Sequence, residues 1–159
     1  MTQTKELSTP LGVLRLTAEP HGLCGAELLR DNRLPEQGEP SPLLEQAAAE
    51  LADYFAGTRR EFTVPLCLRG TPFQRRVWEA LREIPYGETR TYAEIAAAVG
   101  SPRASRAVGM ACHRNPVLLF VPCHRVVAAG GRLGGFACGS ETKQFLLSLE
   151  GNPPLPRTF

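Results

Sequence analysis

Two helix-start signals in the middle of the chain constrain its fold more than any other feature. The segments TPFQ (residues 71–74) and TYAE (residues 91–94) each place a threonine three residues before Gln or Glu. In such a capping box the threonine side chain accepts a helical N–H, and the Gln or Glu side chain reaches back to the threonine N–H. The sequence therefore predicts two short helices, the first broken at PYGET and the second ended by Gly100.

A third helix is predicted to begin at Ser101-Pro102 and to run through RASRAVGMACHR. Two short helices joined by about three residues that include a glycine outline a helix-turn-helix, which alone is a weak signal. The third helix has a nearly bare surface, since Ala104, Ser105, Ala107 and Gly109 are small while Arg103 and Arg106 project. Glycine inside a helix costs about 1 kcal/mol relative to alanine. The bare surface therefore either packs against a neighbouring helix or enters a groove of nucleic acid.

Residues 1–68 predict a small α/β lobe without a chemical motif. Two apolar runs within residues 9–29 flank the turn-forming Glu19-Pro20-His21-Gly22 and predict a β-hairpin. Ser41-Pro42 is typical of a helix start, and the segment EFTVPL predicts one more strand. The apolar face of that helix is expected at Leu44, Ala48, Leu51 and Phe55, and the helix is expected to end at Gly57. The predicted fold class is α/β (α+β), in which residues 69–159 form a mainly helical domain with the helix-turn-helix.

Charge is distributed unevenly along the chain. Residues 1–68 hold 6 Lys/Arg and 10 Asp/Glu, a net of −4, whereas residues 69–115 hold 8 Arg and 4 Glu, a net of +4. The basic part is the one expected to face a polyanion, although an ordinary solvated surface would also explain it. The odd number of cysteines, 5 in all, fits reduced thiols better than disulfides.

The sequence VPCHRVV at residues 121–127 places a cysteine, a histidine and an arginine in a row. A thiol reacts as the thiolate, so its pKa of about 8.5 must be lowered by a neighbour, for which His124 and Arg125 are candidates. The apolar run LLFV before Cys123 predicts the end of a buried strand that turns at Pro122. A core cysteine and a metal site are alternatives. Cys112-His113 and Cys123-His124 could supply metal ligands, but the sequence contains no C-x₂₋₄-C pair, which argues against a metal site.

Glu150 ends the last predicted helix, SETKQFLLSLEG. A carboxylate there faces the negative end of the helix dipole, which is unfavourable unless a cationic group compensates. A histidine that holds a defined tautomer and takes up positive charge would do so. We therefore predict a relay in which Cys123 is the nucleophile, His124 the base and Glu150 the orienting acid.

In this order the motifs resemble those of the O6-alkylguanine-DNA alkyltransferases, also called methylated-DNA-protein-cysteine methyltransferases. The similarity covers residues 69–151 and rests on TPFQRRVWEALREIPYGETRTYAEIA, RAVGMACHRNP, PCHRVV, GGRLGGFACG and LLSLEG. It implies binding to the minor groove of double-stranded DNA, flipping of the alkylated base, and irreversible single-turnover transfer of the alkyl group. O6-alkylguanine and O4-alkylthymine are the implied substrates, and no cofactor or metal is implied.

The resemblance assigns roles to individual residues. Cys123 matches the alkyl acceptor, His124 the base that acts through a water, and Glu150 the carboxylate that orients the histidine. Asn115 matches the asparagine that braces the active-site turn. Tyr92 matches the tyrosine that donates to guanine N3 as charge develops on the leaving base.

Further residues follow for the DNA surface and the pocket. Arg106 matches the arginine that fills the base stack where the lesion has left. The expected DNA contacts are Gln74, Tyr92, Ala93, Ser101, Arg103 and Arg106, and the expected pocket residues are Val126, Phe136 and Ala137. The chain departs from the family pattern at Phe136, Cys138 and Ser140, which commonly are tyrosine, glycine and an aliphatic residue. These departures concern which alkyl groups fit.

Two other functions remain open on the residues alone. A cysteine hydrolase would turn over repeatedly and would not need the bare basic helix. A non-catalytic helix-turn-helix regulator would need a dimer and would not need Cys123. We expect a cytoplasmic protein without a membrane partner, because the sequence lacks an apolar run of about 18 residues and a signal-peptide pattern. We also expect a monomer. Cooperative binding to DNA is left open.

Overall fold

The computed structural model describes residues 2–30, 34–36, 38–39 and 41–155. Its mixed helix and strand content confirms the α/β (α+β) class. The chain divides into two compact units, the first formed by Met1–Arg69 with Pro116–Leu118 and the second by Gly70–Asn115 with Leu119–Phe159. Nothing in the sequence indicated that three residues near position 117 belong with the first unit. In the described part, no helix combines the length and apolar character that a membrane span requires.

The first unit contains an antiparallel sheet of strands β1 (Gln3–Thr9), β2 (Gly12–Glu19) and β3 (Gly22–Leu28), in that spatial order. The predicted hairpin is confirmed as β2 and β3. Strand β1 was not predicted. Its sequence QTKELST buries only Glu6, so it has no apolar alternation that would reveal a strand.

Helix α1 (Pro42–Phe55) contacts all three strands and begins at the predicted cap. The Ser41 hydroxyl accepts the N–H of Leu44 at 3.4 Å. The buried face is slightly rotated from the prediction, because Ala47 and Tyr54 are buried where Ala48 and Phe55 were expected. Because positions 47 and 48 are both alanine and positions 54 and 55 are both aromatic, periodicity alone could not distinguish the two faces.

The predicted strand over EFTVPL is wrong. Apart from a single bridge between Leu66 and Leu23, this segment forms no ladder. The N–H groups of Thr63 and Val64 donate instead to the buried Glu50 carboxylate, at 2.9 and 3.1 Å. A side chain on α1 therefore satisfies the backbone groups that a neighbouring strand would otherwise bind.

The second unit contains helices α2 (Pro72–Arg82), α3 (Tyr92–Ala98), α4 (Ser105–His113) and α5 (Ser140–Leu149), with two short strands, β4 (Arg90–Thr91) and β5 (Val126–Val127). Both predicted capping boxes are confirmed at the starts of α2 and α3. Helices α2, α3 and α4 pack on one another. The buried indole N–H of Trp78 on α2 donates to the carbonyl of Ala111 on α4 at 2.9 Å and so holds the two helices in register.

Helix α4 begins at Ser105, three residues after the first helical position predicted at Pro102. Ser101 donates its N–H back to the carbonyl of Ala96 at 2.9 Å and accepts the N–H of Ala104 at 2.8 Å. These bonds close a turn that follows the left-handed Gly100. Pro102 therefore lies in the turn and not in the first position of the helix, and the connection between α3 and α4 is longer than the predicted three residues.

The predicted strand over LLFV is also wrong, although its burial is correct. Residues 118–121 are all buried but form no ladder, and Leu119 adopts a left-handed backbone with φ 76°. Cys123–Arg125 forms one turn of 3-10 helix that leads into β5. Strand β5 pairs in parallel with β4, with Arg90 opposite Val126. This pairing brings the start of α3 beside the turn that carries Cys123.

Glu50 provides a test of the first unit. Burial raises its pKa, but hydrogen bonds from Thr63, Gln46 and Val64 outweigh burial and lower it overall. Because the folded pKa is lowered, the stabilisation is present above the unfolded pKa and is lost as pH falls through the folded value. We expect Glu50→Gln to reduce the free energy of unfolding at pH 7 by about 1–3 kcal/mol. The difference from the native protein should shrink below about pH 4.

Urea denaturation at both pH values measures this effect. Glu45→Gln is the matched control, since Glu45 lies on the same helix with its side chain 62% exposed and forms a surface ion pair with Lys5. A loss at pH 7 that is equal in the two variants would contradict the role assigned to Glu50.

Candidate active site

A cavity of about 230 Å³ lies within the second unit and has Cys123 in its wall. Its lining comes from α3, α4, the 3-10 turn and the loop before α5, namely Tyr92, Gly109, Cys112, His113, Cys123, Gly135, Phe136 and Ala137. Pockets for drug-sized ligands occupy about 300–1000 Å³, so this one suits a single planar base. The structure thus brings Tyr92, Cys123, Phe136 and Ala137 together from sites up to 45 positions apart.

The Cys123 side chain is held by the segment before it. Asn115 donates from Nδ2 to the carbonyl of Val121 at 2.7 Å and to the Cys123 sulfur at 3.3 Å. Burial raises the pKa of the Cys123 thiol to about 11, despite the opposing effects of the Asn115 hydrogen bond and the Lys143 charge. The expectation that His124 and Arg125 would lower this pKa is wrong. At neutral pH the resting thiol is protonated, so reaction requires a base.

His124 meets the requirement for that base. Its Nε2 lies 2.7 Å from a Glu150 carboxylate oxygen, and both side chains are buried. Burial lowers the pKa of His124, so the ring is neutral. Since the ionised carboxylate only accepts hydrogen bonds, Nε2 must carry the ring proton and Nδ1 the lone pair. Nδ1 is buried and makes no hydrogen bond within the described residues, so it is the basic atom available to the site.

Arg125 is a site residue that the sequence reasoning misassigned. Its guanidinium donates to both Glu150 oxygens, at 2.8 and 3.1 Å, and to the carbonyl of Ile84 at 2.8 Å. Burial alone would raise the pKa of Glu150, but the contacts from His124 and Arg125 lower it to about 2. Arg125 therefore keeps Glu150 ionised while His124 remains neutral. The sequence contained a signal for the pairing of Arg125 with Glu150. Glu150 at a helix C-terminus needed a cationic partner, and Arg125 is the cationic residue directly after His124.

Lys143 on α5 is a second residue that the sequence reasoning missed. It is fully buried, and its ammonium donates to the carbonyls of Val126 at 2.6 Å and Gly135 at 3.0 Å. The ammonium also lies 5.8 Å from the centre of the Tyr92 ring. Burial lowers the pKa of Lys143 to about 8. A lysine within an amphipathic helix pattern is normally assigned to the surface, which is why periodicity gave no indication of this role.

Tyr92 shares a partner with Lys143. Its hydroxyl donates to the carbonyl of Gly135 at 3.3 Å, so two donors fix the same carbonyl at the cavity rim. Burial raises the pKa of Tyr92 to about 12, and the phenol therefore remains a donor throughout the physiological range. Gly134 precedes this rim with φ 77°, and a Cβ there would approach the Tyr92 hydroxyl and the Ala128 nitrogen to 3.2 Å. Glycine at position 134 allows the rim to close over the tyrosine.

Gly109 faces the cavity. A Cβ at this position would meet only the Tyr92 ring, at 3.9 Å, which is ordinary van der Waals contact. Tight packing against another helix, one of the two explanations offered for this glycine, therefore does not account for it. The absence of a side chain at Gly109 instead leaves room in the cavity beside Tyr92.

The remaining predicted residues lie on the surface or in the frame of the unit. Ala93, Arg103 and Arg106 are exposed, and Ser101 is half-buried. The Gln74 side chain accepts the N–H of Thr71 in the capping box at 2.9 Å. Val126 is buried in β5 and is absent from the cavity lining, to which it is linked through Lys143.

Both units match models of known families. Residues 5–68 match the 6-O-methylguanine DNA methyltransferase, ribonuclease-like domain. Residues 72–152 match the 6-O-methylguanine DNA methyltransferase, DNA binding domain. Together the two matches span most of the chain.

Individual proteins are similar over nearly their whole length. The chain is 46% identical to the methylated-DNA–protein-cysteine methyltransferase of Methanosarcina acetivorans over 148 residues, which are 91% of this chain and 95% of the relative. It is 46% identical to the constitutive methylated-DNA–protein-cysteine methyltransferase of Bacillus subtilis over 151 residues, 89% and 91% of the two chains. A crystal structure of Mycobacterium tuberculosis OGT in complex with DNA has a TM-score of 0.82 at 43% identity and covers 92% of both chains.

The space at Gly109 can be tested by Gly109→Ala. We expect the variant to unfold at a higher temperature, because alanine is favoured over glycine in a helix by up to about 1 kcal/mol. Its added methyl would occupy cavity volume beside Tyr92, so alkylation of the protein by free O6-benzylguanine should slow more than alkylation by free O6-methylguanine. Calorimetry and intact-protein mass against time measure the two effects. If Gly109→Ala were stabilised as expected but the ratio of its two rates equalled that of the native protein, the assignment of Gly109 to the cavity would be contradicted.

Proposed function

Because this chain belongs to the 6-O-methylguanine DNA methyltransferase family and repairs DNA by alkyl transfer, we propose that Cys123 is the residue that accepts the alkyl group. The observation that carries this proposal is that Cys123 lies in the cavity wall and directly precedes His124, which is bound to the ionised Glu150. No other thiol combines these features. Cys112 also lines the cavity, but burial raises its pKa to about 12 and no base is paired with it among the described residues.

The reaction is a displacement at a saturated carbon. The sulfur of Cys123 forms a bond to the alkyl carbon while the bond from that carbon to guanine O6 breaks, and the electron pair leaves on guanine. The thiol proton passes through a water to Nδ1 of His124, and the imidazolium that forms is stabilised by Glu150. Guanine then takes up a proton, so the overall change is alkylguanine plus thiol to guanine plus thioether.

The leaving guanine carries negative charge in the transition state, and two groups in the site suit that charge. When guanine is bound, the Tyr92 hydroxyl exchanges the Gly135 carbonyl for guanine N3 as its acceptor, a role consistent with a pKa of about 12 that keeps the phenol protonated. Lys143 contributes a buried positive charge close to Tyr92 and Cys123. Because the product is a thioether, it has no carbonyl for water to attack, and each molecule reacts once.

We propose that DNA binds along the exposed face of α4. Arg106 on α4 and Arg103 in the turn before it are exposed, and the part of the chain that carries them is net positive. The slender, mostly small-residue surface of α4 suits the minor groove, and Arg106 fills the space in the stack after the alkylated base flips into the cavity. A single unit supplies the whole cavity, so a monomer is sufficient for the reaction.

Two alternatives, a cysteine hydrolase and a non-catalytic regulator, are not proposed, because the relatives are methyltransferases. O4-alkylthymine is proposed as a second substrate by the same displacement. It presents an alkylated exocyclic oxygen on a ring smaller than guanine, and the cavity therefore has room for it.

Stoichiometric methylation tests the acceptor. Incubation with duplex DNA that contains O6-methylguanine should add a single methyl group per protein molecule, on the peptide that contains Cys123. Intact mass and peptide mapping measure this. Cys123→Ser should acquire none, whereas Cys24→Ser, in the first unit, should react normally. Methyl on Cys112 or Cys138, or repeated turnover, would refute the proposed acceptor.

The pH dependence tests the base and the buried cation separately. The lowered pKa of His124 implies that activity is lost as pH falls through a value below 6.5, where the ring becomes charged. The pKa of about 8 for Lys143 implies a second loss above pH 8, as the ammonium becomes neutral. We expect a bell-shaped profile for the rate with free O6-benzylguanine.

Two variants assign the limbs of that profile. His124→Ala should be slower by about 10²–10⁴-fold and should lose the acid limb. Lys143→Met should lose the alkaline limb. Dissociation constants for unmodified duplex should stay near the native value for both. A native rate that rises tenfold per pH unit through pH 9 would instead indicate direct ionisation of the Cys123 thiol and would contradict the role of His124.

A further inference from the structure

One face of α4 carries its three large exposed side chains. Arg106, Met110 and His113 are separated by four and three residues, so they form a single stripe along the helix. Val108 and Ala111 point the other way and are buried. Within the described residues of the second unit, Met110 and Phe145 are the large apolar side chains with high exposure, at 54% and 41%.

The stripe adjoins the lining of the cavity. His113 belongs both to the stripe and to the cavity lining, and Gly109 and Cys112 line the cavity on the neighbouring side of the helix. Met110 directly follows Gly109 and lies one turn beyond Arg106. Met110 also lies three residues before His113 on the same face, so it adjoins a residue of the cavity lining.

The size of the cavity determines which part of a nucleotide meets Met110. A volume of about 230 Å³ suits a base, so the sugar and the phosphate of a flipped nucleotide remain outside, at the mouth. A deoxyribose presents carbon-bound hydrogens over much of its surface. A flexible, polarisable methionine packs well on such an irregular apolar surface, and the contact removes both groups from water.

We propose that Met110 packs against the deoxyribose of the flipped nucleotide and so holds the alkylated base in the cavity. This inference rests on the proposed function. Two residues of the stripe then have different roles. Arg106 occupies the vacated position in the base stack, and Met110 contacts the nucleotide that has left it. Met110 is accordingly a substrate-positioning residue that recognises a nucleoside and not a free base.

Four substrates distinguish this role from others. They are free O6-benzylguanine, O6-benzyl-2′-deoxyguanosine, a single-stranded oligonucleotide and a duplex, the last two containing one O6-benzylguanine. The measured quantity is the second-order rate constant for alkylation of Cys123, given as the ratio of variant to native protein. Variants are Met110→Ala, Met110→Leu and Arg106→Ala, with Phe145→Ala as the matched loss of an exposed apolar side chain on another helix.

We expect Met110→Ala to leave the reaction with the free base unchanged and to slow the three sugar-containing substrates by roughly fivefold, as for loss of part of a buried apolar contact. Met110→Leu should restore most of the rate. Arg106→Ala should impair only the duplex, and Phe145→Ala should change none of the four.

Three outcomes would overturn the inference. An effect of Met110→Ala on the duplex alone would place Met110 in the base stack with Arg106. An equal loss with all four substrates would make it part of the cavity frame, and no loss with any would leave it a solvent-exposed residue. The native protein supplies the separate test of the proposed function, because failure of native Cys123 to accept the alkyl group would refute that function before any variant is compared.

Discussion

The site depends on the buried ion pair between Arg125 and Glu150. Arg125 binds both carboxylate oxygens and also the carbonyl of Ile84, just after α2, so the pair ties the 3-10 turn to the end of α5 and to α2. Removing one partner of such a pair costs about 3–5 kcal/mol, because the other charge is left buried and unpaired. Burial keeps His124 neutral against the opposing effect of Glu150, and the ionised carboxylate holds the ring in the tautomer that leaves Nδ1 basic.

The resting site holds the proposed nucleophile in an unreactive form. The pKa of Cys123 is raised to about 11, and oxidants attack the thiolate much faster than the thiol. A protein that reacts only once gains from a thiol that is not lost to adventitious oxidation. The groups proposed to activate it, His124 and the Lys143 charge, would act when a substrate occupies the cavity and excludes bulk water, because electrostatic interactions strengthen there.

Local signals in the sequence predicted helices well and strands poorly. The capping boxes at Thr71 and Thr91 depend on contacts within four residues, so they appear in the structure as expected. The strand predicted over EFTVPL failed because Glu50, from a different element, binds its N–H groups. Strand β1 was missed because its polar sequence has no apolar alternation, and its pairing with β2 is what makes it a strand. Strand pairing is a long-range property and is not encoded in a short window.

The sequence by itself determined the starts of α1, α2 and α3, the position of Cys123 in a buried motif, and the need of Glu150 for a cationic partner. Only the tertiary structure decided how that need is met. It directs Arg125 to Glu150 and not to the thiol, buries Lys143 against two carbonyls, and turns Gly109 toward Tyr92. The physical reason is that pKa values and cavities depend on which groups are near one another and how much water they lose, and those distances are set by packing between segments far apart in the chain.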